Sequence, residues 1–383
     1  MDDARRRSGL PRLLLLIPGG FALLAGLDAA LLLLGVSSPV TGASLARAHG
    51  ILMTLGFVGT VVALERAVAL GRAWGYLAPA SLGIGAVSLV TPTSREVGAA
   101  LLLAGTVALA ALYVPLWRRN HAAAVLIQAI GAILGVGAAT LWAADVPVPS
   151  LLPWLVCFLV LTISGERLEL ARIALGDPRA EPLAVLISVA VAAALTVSLL
   201  WPAAGYPLLG AALITLVAWL CNYDVARKTL HSKGLPRFSA ACLLAGYGWL
   251  AVTACWWLFA GSTRAGASYD AVVHSVFLGF VMSMIMAHAP IIFPAVLRRP
   301  LPYSAVMYGP AVLLQLSLLV RIGIGDSLDV AAAVQIAGVL NVVSVLAFVA
   351  VAVWSATKTP AAQSHSRPHR SRRPTAAGRN EAA

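Results

Sequence analysis

The stretch from Tyr269 to Leu297 reads Y-D-A-V-V-H-S-V-F-L-G-F-V-M-S-M-I-M-A-H-A-P-I-I-F-P-A-V-L and runs into Arg298-Arg299. About 20 apolar residues suffice to cross a bilayer as a helix, so this stretch spans with length to spare. It also holds two histidines, His274 and His288. A ligating or ionisable side chain inside a spanning helix is costly to bury and marks a functional site by default. The rest of the chain is read outward from this segment.

The 383 residues are 60% hydrophobic and only 11% charged, with mean hydropathy +0.89. A soluble domain carries about 25% charged residues, so the composition calls for an all-α integral membrane protein. Twelve segments of spanning length follow one another, at roughly 11–36, 43–70, 75–91, 96–117, 121–143, 150–174, 181–201, 205–226, 236–261, 269–297, 302–323 and 328–355. Breaks such as Thr91-Pro92-Thr93, Gly176-Asp177-Pro178 and Trp201-Pro202 separate them. The basic Met1–Arg12 segment precedes an apolar run without a small-x-small cleavage pattern. It reads as the lead-in to a retained first helix rather than a signal peptide.

The charges test this division. Cytoplasmic loops carry an excess of Lys and Arg. Of 27 basic residues, all but Arg47, Arg95, Arg264 and Arg321 fall on one alternate set of helix ends. An error of one helix would destroy that pattern from the error onward. We therefore expect twelve helices in the plasma (inner) membrane, with both termini cytoplasmic. Residues 1–357 form the membrane domain and 358–383 a disordered, basic cytoplasmic tail. The net charge of +12 is mostly topology, and no nucleic-acid module accompanies it. The bilayer is the partner the sequence names; it identifies neither an electron donor nor an acceptor. Cys157, Cys221, Cys242 and Cys255 lie in apolar runs without a C-x-x-C pair and read as buried small hydrophobes.

A faint repeat runs through the chain. The second helix ends A-L-E-R-A-V-A-L and the sixth S-G-E-R-L-E-L-A-R, placing Glu65-Arg66 and Glu166-Arg167 four helices apart. Four helices further, Gly279-Phe280-Val281 echoes Gly56-Phe57-Val58. Three units of four helices account for this better than two of six.

The second helix opens with His49 in H-G-I-L-M-T-L-G-F, and it runs in the same direction as the tenth. His49 and His274 each lie about five residues past the start of their helices, roughly 7–8 Å in. Two neutral imidazoles at one depth on parallel helices can ligate one haem iron from opposite faces. The alternative is two unrelated histidines, each bonded to a neighbouring carbonyl. Haem propionates need cations near the membrane surface, and Arg47, Arg264 and Arg321 flank the second, tenth and eleventh helices on that side. Interfacial snorkelling explains each of them as well. His288 sits about 21 Å beyond His274, so it cannot share its metal. It falls at the other face with Glu65, Arg66, Glu166, Arg167 and Glu169. Glu–Arg pairs locking helix ends are one account of that group; a proton or ligand path through Glu65, Glu166 and His288 is the other. Met282, Met284 and Met286 are read as packing residues.

H-G-x-x-M at His49, Gly50 and Met53 resembles the second helix of haem–copper oxidase subunit I. H-x-x-x-M-x-x-G-F at His49, Met53, Gly56 and Phe57, with a histidine-led, Met-rich tenth helix, also resembles the NnrS family. The resemblance implies twelve helices in three four-helix units and a low-spin haem b held by His49 and His274. It also implies a role in electron transfer or nitric oxide metabolism. The copper ligands of the oxidases have no counterparts: the sixth helix offers Trp154, Cys157 and Thr162, and the seventh has no histidine. A copper centre is therefore not expected, and whether the protein is an enzyme stays open. The rivals are a haem-free secondary transporter and a membrane sensor or assembly factor without chemistry of its own.

Overall fold

The computed structural model describes residues 2–39, 43–172, 176–297 and 301–357, which form helices, turns and loops and no strand. The tail at 358–383 and Arg298-Arg299 lie outside the described residues. Twelve helices are long and apolar enough to cross a membrane. They are α1 (Arg12–Leu33), α2 (Leu45–Leu70), α3 (Ala73–Val90), α4 (Arg95–Asn120), α5 (Ala123–Ala143), α6 (Val148–Ala171), α7 (Ala180–Leu200), α8 (Pro202–Tyr223), α9 (Leu235–Ala260), α10 (Gly266–Val296), α11 (Ala305–Asp326) and α12 (Ala331–Thr357). The protein is an all-α, polytopic integral membrane protein.

The helices stop where backbone chemistry requires. Gly71 closes α2 at φ 69°, its N–H donating to Ala67 O, the left-handed cap that glycine adopts without penalty. Pro202 stands in the first turn of α8, where a missing N–H costs nothing. Outward faces are apolar: Phe259 is 83% and Leu186 65% exposed, which suits hydrocarbon rather than water. Cys157 and Cys242 are buried as expected, but Cys255 is exposed; it lies on the outward face of α9 near Phe259, where a thiol meets lipid at little cost.

Burial picks out three helices. The apolar windows of α2, α6 and α10 are 67%, 78% and 67% buried, and no other exceeds 56%. α10 touches both α2 and α6, while α1 packs on α2, α3, α10 and α12. The second helix of each consecutive group of four is thus central, in line with the faint repeat. Close approach between neighbours rests on glycine: a Cβ on Gly131 would lie 2.9 Å from the Thr162 backbone nitrogen, so α5 and α6 meet backbone to backbone.

Three helices leave the α-helical path. Leu52–Gly59 in α2, Ser275–Met282 in α10 and Arg321–Asp326 in α11 are π-helical. Such turns are rare and concentrate at functional sites. The second begins directly after His274, and the first begins three residues after His49.

Candidate functional site

His49 and His274 face one cavity. Its volume is about 480 Å³, and its walls come from α1, α2, α6, α10, α11 and α12. Leu27, Leu152, Leu155, Phe277 and Val342 make it largely apolar, while His49, His274, Arg47, Asp270, Arg321 and Asn341 supply its polar groups. That size lies within the range of about 300–1,000 Å³ usual for cofactor sites.

The hydrogen bonds fix both rings. His49 Nδ1 lies 2.8 Å from Gly26 O and His274 Nδ1 lies 2.9 Å from Asp270 O. A carbonyl only accepts, so each Nδ1 carries a proton, and in the neutral ring that tautomer leaves the lone pair on Nε2. Among the described residues, neither Nε2 has a hydrogen-bond partner. The carbonyl bonds of the alternative reading are therefore present, yet they engage one nitrogen per ring and leave the other free. This is the arrangement by which outer-shell partners orient metal-binding histidines.

Asp270 supports His274 a second time, with Oδ1 3.2 Å from Nδ1. Its carboxylate also receives Arg321 in a fork, Nε to Oδ2 at 2.7 Å and Nη2 to Oδ1 at 2.9 Å. Arg321 reaches the cavity wall already paired, so less of its charge is available to a ligand than the sequence implied. Arg47 is exposed at the cavity and has no acidic partner among the described residues. Arg264, in the loop before α10, is exposed and does not line the cavity. One donor was not anticipated. Asn341 is 2% exposed, its Oδ1 accepts from Ser317 Oγ at 2.5 Å, and its Nδ2 is left without a partner at the cavity wall.

The second constellation lies at the other end of α2, α6 and α10. Arg167 forks onto Asp224, Nε to Oδ2 at 2.7 Å and Nη2 to Oδ1 at 2.9 Å, with side chains 6% and 2% exposed. Asp224 also accepts from Tyr247 OH at 2.7 Å and from Ala226 N–H at 2.8 Å. The third Arg167 nitrogen, Nη1, donates to His288 Nε2 at 2.9 Å, while His288 Nδ1 donates to Met284 O at 2.7 Å. A guanidinium only donates, so His288 is neutral with its proton on Nδ1. Beside this lies Arg66, paired with Glu65, with Glu169 at 3.1 Å and with Gln128 at 3.0 Å. Glu166 Oε1 stands 4.0 Å from His288 Nε2.

Residues 12–357 match the family described as Domain of unknown function (DUF8744). The chain belongs to this family. Comparison with curated proteins and with solved structures gives no match. Among the described residues of this DUF8744 chain, no group of three or more His, Cys, Asp or Glu is placed to hold a metal ion.

Within this DUF8744 fold, the structure joins His49, His274, Arg47 and Arg321 at one cavity and gathers Glu65, Arg66, Glu166, Arg167 and His288 at the opposite end. Sequence reasoning missed Asp270, Asn341, Asp224, Gln128 and Tyr247. Asp270 was findable: D-A-V-V-H places it one turn before His274, on the same face. Asp224 carried a fainter sign, a single acid ahead of Arg227, Lys228, Lys233 and Arg237. Asn341, Gln128 and Tyr247 sit in apolar helices without any pattern.

Proposed function

We propose that this membrane protein binds one low-spin b-type haem in the cavity, where His49 and His274 would hold it, and serves electron transfer or nitric oxide-related redox chemistry. The observation that carries this reading is the pair of histidines from two helices on one cavity, each with Nδ1 committed to a carbonyl and Nε2 free. The absence of a three-residue metal cluster does not oppose it, because a porphyrin supplies the equatorial nitrogens and asks the protein for two side chains only.

The cavity walls fit the group in kind. Leucine, valine and phenylalanine side chains suit the macrocycle faces, and Arg47 offers a cation to a carboxylate at the rim. The free Asn341 amide offers a neutral donor. Haem would supply one-electron redox chemistry, and His49 and His274 would hold it through two neutral imidazoles, a ligand set that suits electron transfer. The chain's own part is to hold two neutral imidazoles in one tautomer and to keep water out. The nitric oxide connection is supported by the resemblance of His49, Met53, Gly56 and Phe57 to the NnrS pattern.

The test is optical. The protein is expressed with ample haem, purified in detergent and examined by reduced-minus-oxidised difference spectroscopy beside His49→Ala and His274→Ala. Sharp bis-histidine bands in the wild type, lost in both variants, are expected. A colourless, folded wild-type protein would overturn the reading.

A further inference from the structure

The constellation at the far end of α10 does not balance its charges. Glu65, Glu166, Glu169 and Asp224 bring four carboxylates; Arg66 and Arg167 bring two cations, and His288 is held neutral by its two bonds. Arg167 is engaged through all three nitrogens by Asp224 and His288. Arg66 is engaged by Glu65, Glu169 and Gln128. Glu166 is left over. Its side chain is 14% exposed, and its nearest basic atom, His288 Nε2 at 4.0 Å, has already spent its lone pair on Arg167. An unpaired carboxylate in such a place takes up a counter-charge rather than remain bare.

A second feature points to the same position from another helix. The Tyr113 hydroxyl on α4 is fully buried, has no hydrogen-bond partner, and lies within electrostatic range of Glu65, Arg66, Glu166 and Glu169. Buried hydroxyls are paired as a rule, so this one has a missing neighbour. A hydroxyl can accept from a protonated carboxyl or ligate a cation through its oxygen. Glu169, half exposed at 50% and bonded to Arg66 and Gln128, joins the group to the surface.

We propose that Glu166 is the binding site of one small monovalent cation, a proton or a sodium ion, exchanged with the aqueous phase on the Glu169 side. The charged and titratable groups that act on it are Glu65 and Arg66 on α2, Tyr113 on α4, Arg167 and Glu169 on α6 and His288 on α10. Arg66 and Arg167 offset two of the four carboxylates, and Glu169, bonded to Arg66, is half exposed to solvent, so Glu166 is the buried carboxylate left without a counter-charge. The inference does not depend on haem.

Infrared difference spectroscopy of the full chain reads this directly. The purified wild type is compared at neutral pH in choline chloride and in sodium chloride, in H2O and D2O, beside Glu166→Gln and, as a control, Glu181→Gln, whose carboxylate lies at the periphery with Arg172. If the cation is a proton, the wild type shows the carbonyl stretch of one protonated carboxyl, shifted in D2O, lost in Glu166→Gln and kept in Glu181→Gln. If it is sodium, that band is absent and sodium instead perturbs one carboxylate band in the wild type but not in Glu166→Gln. Neither response, or either response unchanged in Glu166→Gln, overturns the proposal. Should Glu166→Gln fail to fold, Glu166→Asp decides: the responding band moves with the shorter acid, or the proposal falls.

Discussion

Removing the Asp224 carboxylate perturbs the structure where its electrostatics are most exacting. In Asp224→Ala the Arg167 guanidinium stays buried, 6% exposed, and loses two of its three bonds. Tyr247 OH and Ala226 N–H lose their acceptor as well. Breaking a buried ion pair by deleting one partner costs about 3–5 kcal/mol, because the remaining charge is uncompensated. At 1.4 kcal/mol per factor of ten, the unfolding equilibrium constant rises by roughly two to three and a half powers of ten. The double variant Arg167→Met, Asp224→Leu removes both charges and recovers most of the loss, since apolar replacement of a whole buried pair is often neutral. Reversible unfolding in mixed micelles, followed by tryptophan fluorescence, measures all the variants of the cycle. A cost for Asp224→Ala of no more than about 1 kcal/mol, the range of exposed pairs, would refute the reasoning. So would additivity of the two single variants, for it would mean that the fork carries no coupling.

Three further outcomes follow from the same geometry. Burial by itself would raise the Asp224 carboxyl, but the hydrogen bonds and charge of Arg167, with the bonds from Tyr247 and Ala226, hold it below its ordinary value. Its stabilisation is then complete above the ordinary carboxyl range and is lost as pH falls through the lowered folded value. Stability measured against pH should decline in acid more steeply for the wild type than for Asp224→Asn, and equal slopes would count against the assignment. A Cβ on Gly210 would come within 2.5 Å of Ala254 O and Leu258 N, so Gly210→Ala should cost about 1–3 kcal/mol by overpacking, read from the same unfolding curves. Under the haem reading, Asp270→Ala frees the His274 ring and should weaken haem retention about 10–100-fold in an apomyoglobin competition assay, while unchanged retention would assign Asp270 to Arg321 alone.

The architecture was legible because the bilayer writes it in composition and charge. Twelve apolar runs and an alternation that places all but four basic residues on one set of ends leave little freedom in counting helices. The central trio was partly legible too: Glu65-Arg66 and Glu166-Arg167 recur at the ends of two of the three most buried helices. What could not be read was pairing across helices. Nothing in E-R at 166–167 says that Arg167 turns to Asp224 rather than to its neighbour, because its partner follows α8 and is itself held by Tyr247 of α9, both far away in sequence. Nor does periodicity announce the π-helical turns, although two of them contain the G-F-V echo at Gly56 and Gly279. Arg321 lines the cavity, but the bond it makes there was not legible. Its charge is spent on Asp270, and that partner lay unnoticed inside the most closely read segment of the chain.

Three histidines inside spanning helices make the same first bond and end in different states. His49, His274 and His288 each donate Nδ1–H to a backbone carbonyl, Gly26 O from α1 in the first case and the carbonyl four residues back in the other two. The bond leaves Nε2 as an acceptor every time, so tautomer alone does not distinguish a ligand site from a structural one. What Nε2 meets does. At His288 it meets the Arg167 guanidinium at 2.9 Å, a donor that occupies the lone pair and keeps metals away by charge. At His49 and His274 it meets a cavity lined chiefly by apolar side chains, where a lone pair remains available to a Lewis acid. On α10 the two outcomes lie about 21 Å apart, one near each end of a single central helix. The distinction also orders the experiments. Replacing His288 should alter the charge balance around Glu166 and leave any cofactor in place, whereas replacing His274 should do the reverse. A variant of either residue that disturbed both readouts would mean that the two ends of α10 are coupled, and would require one mechanism in place of two sites.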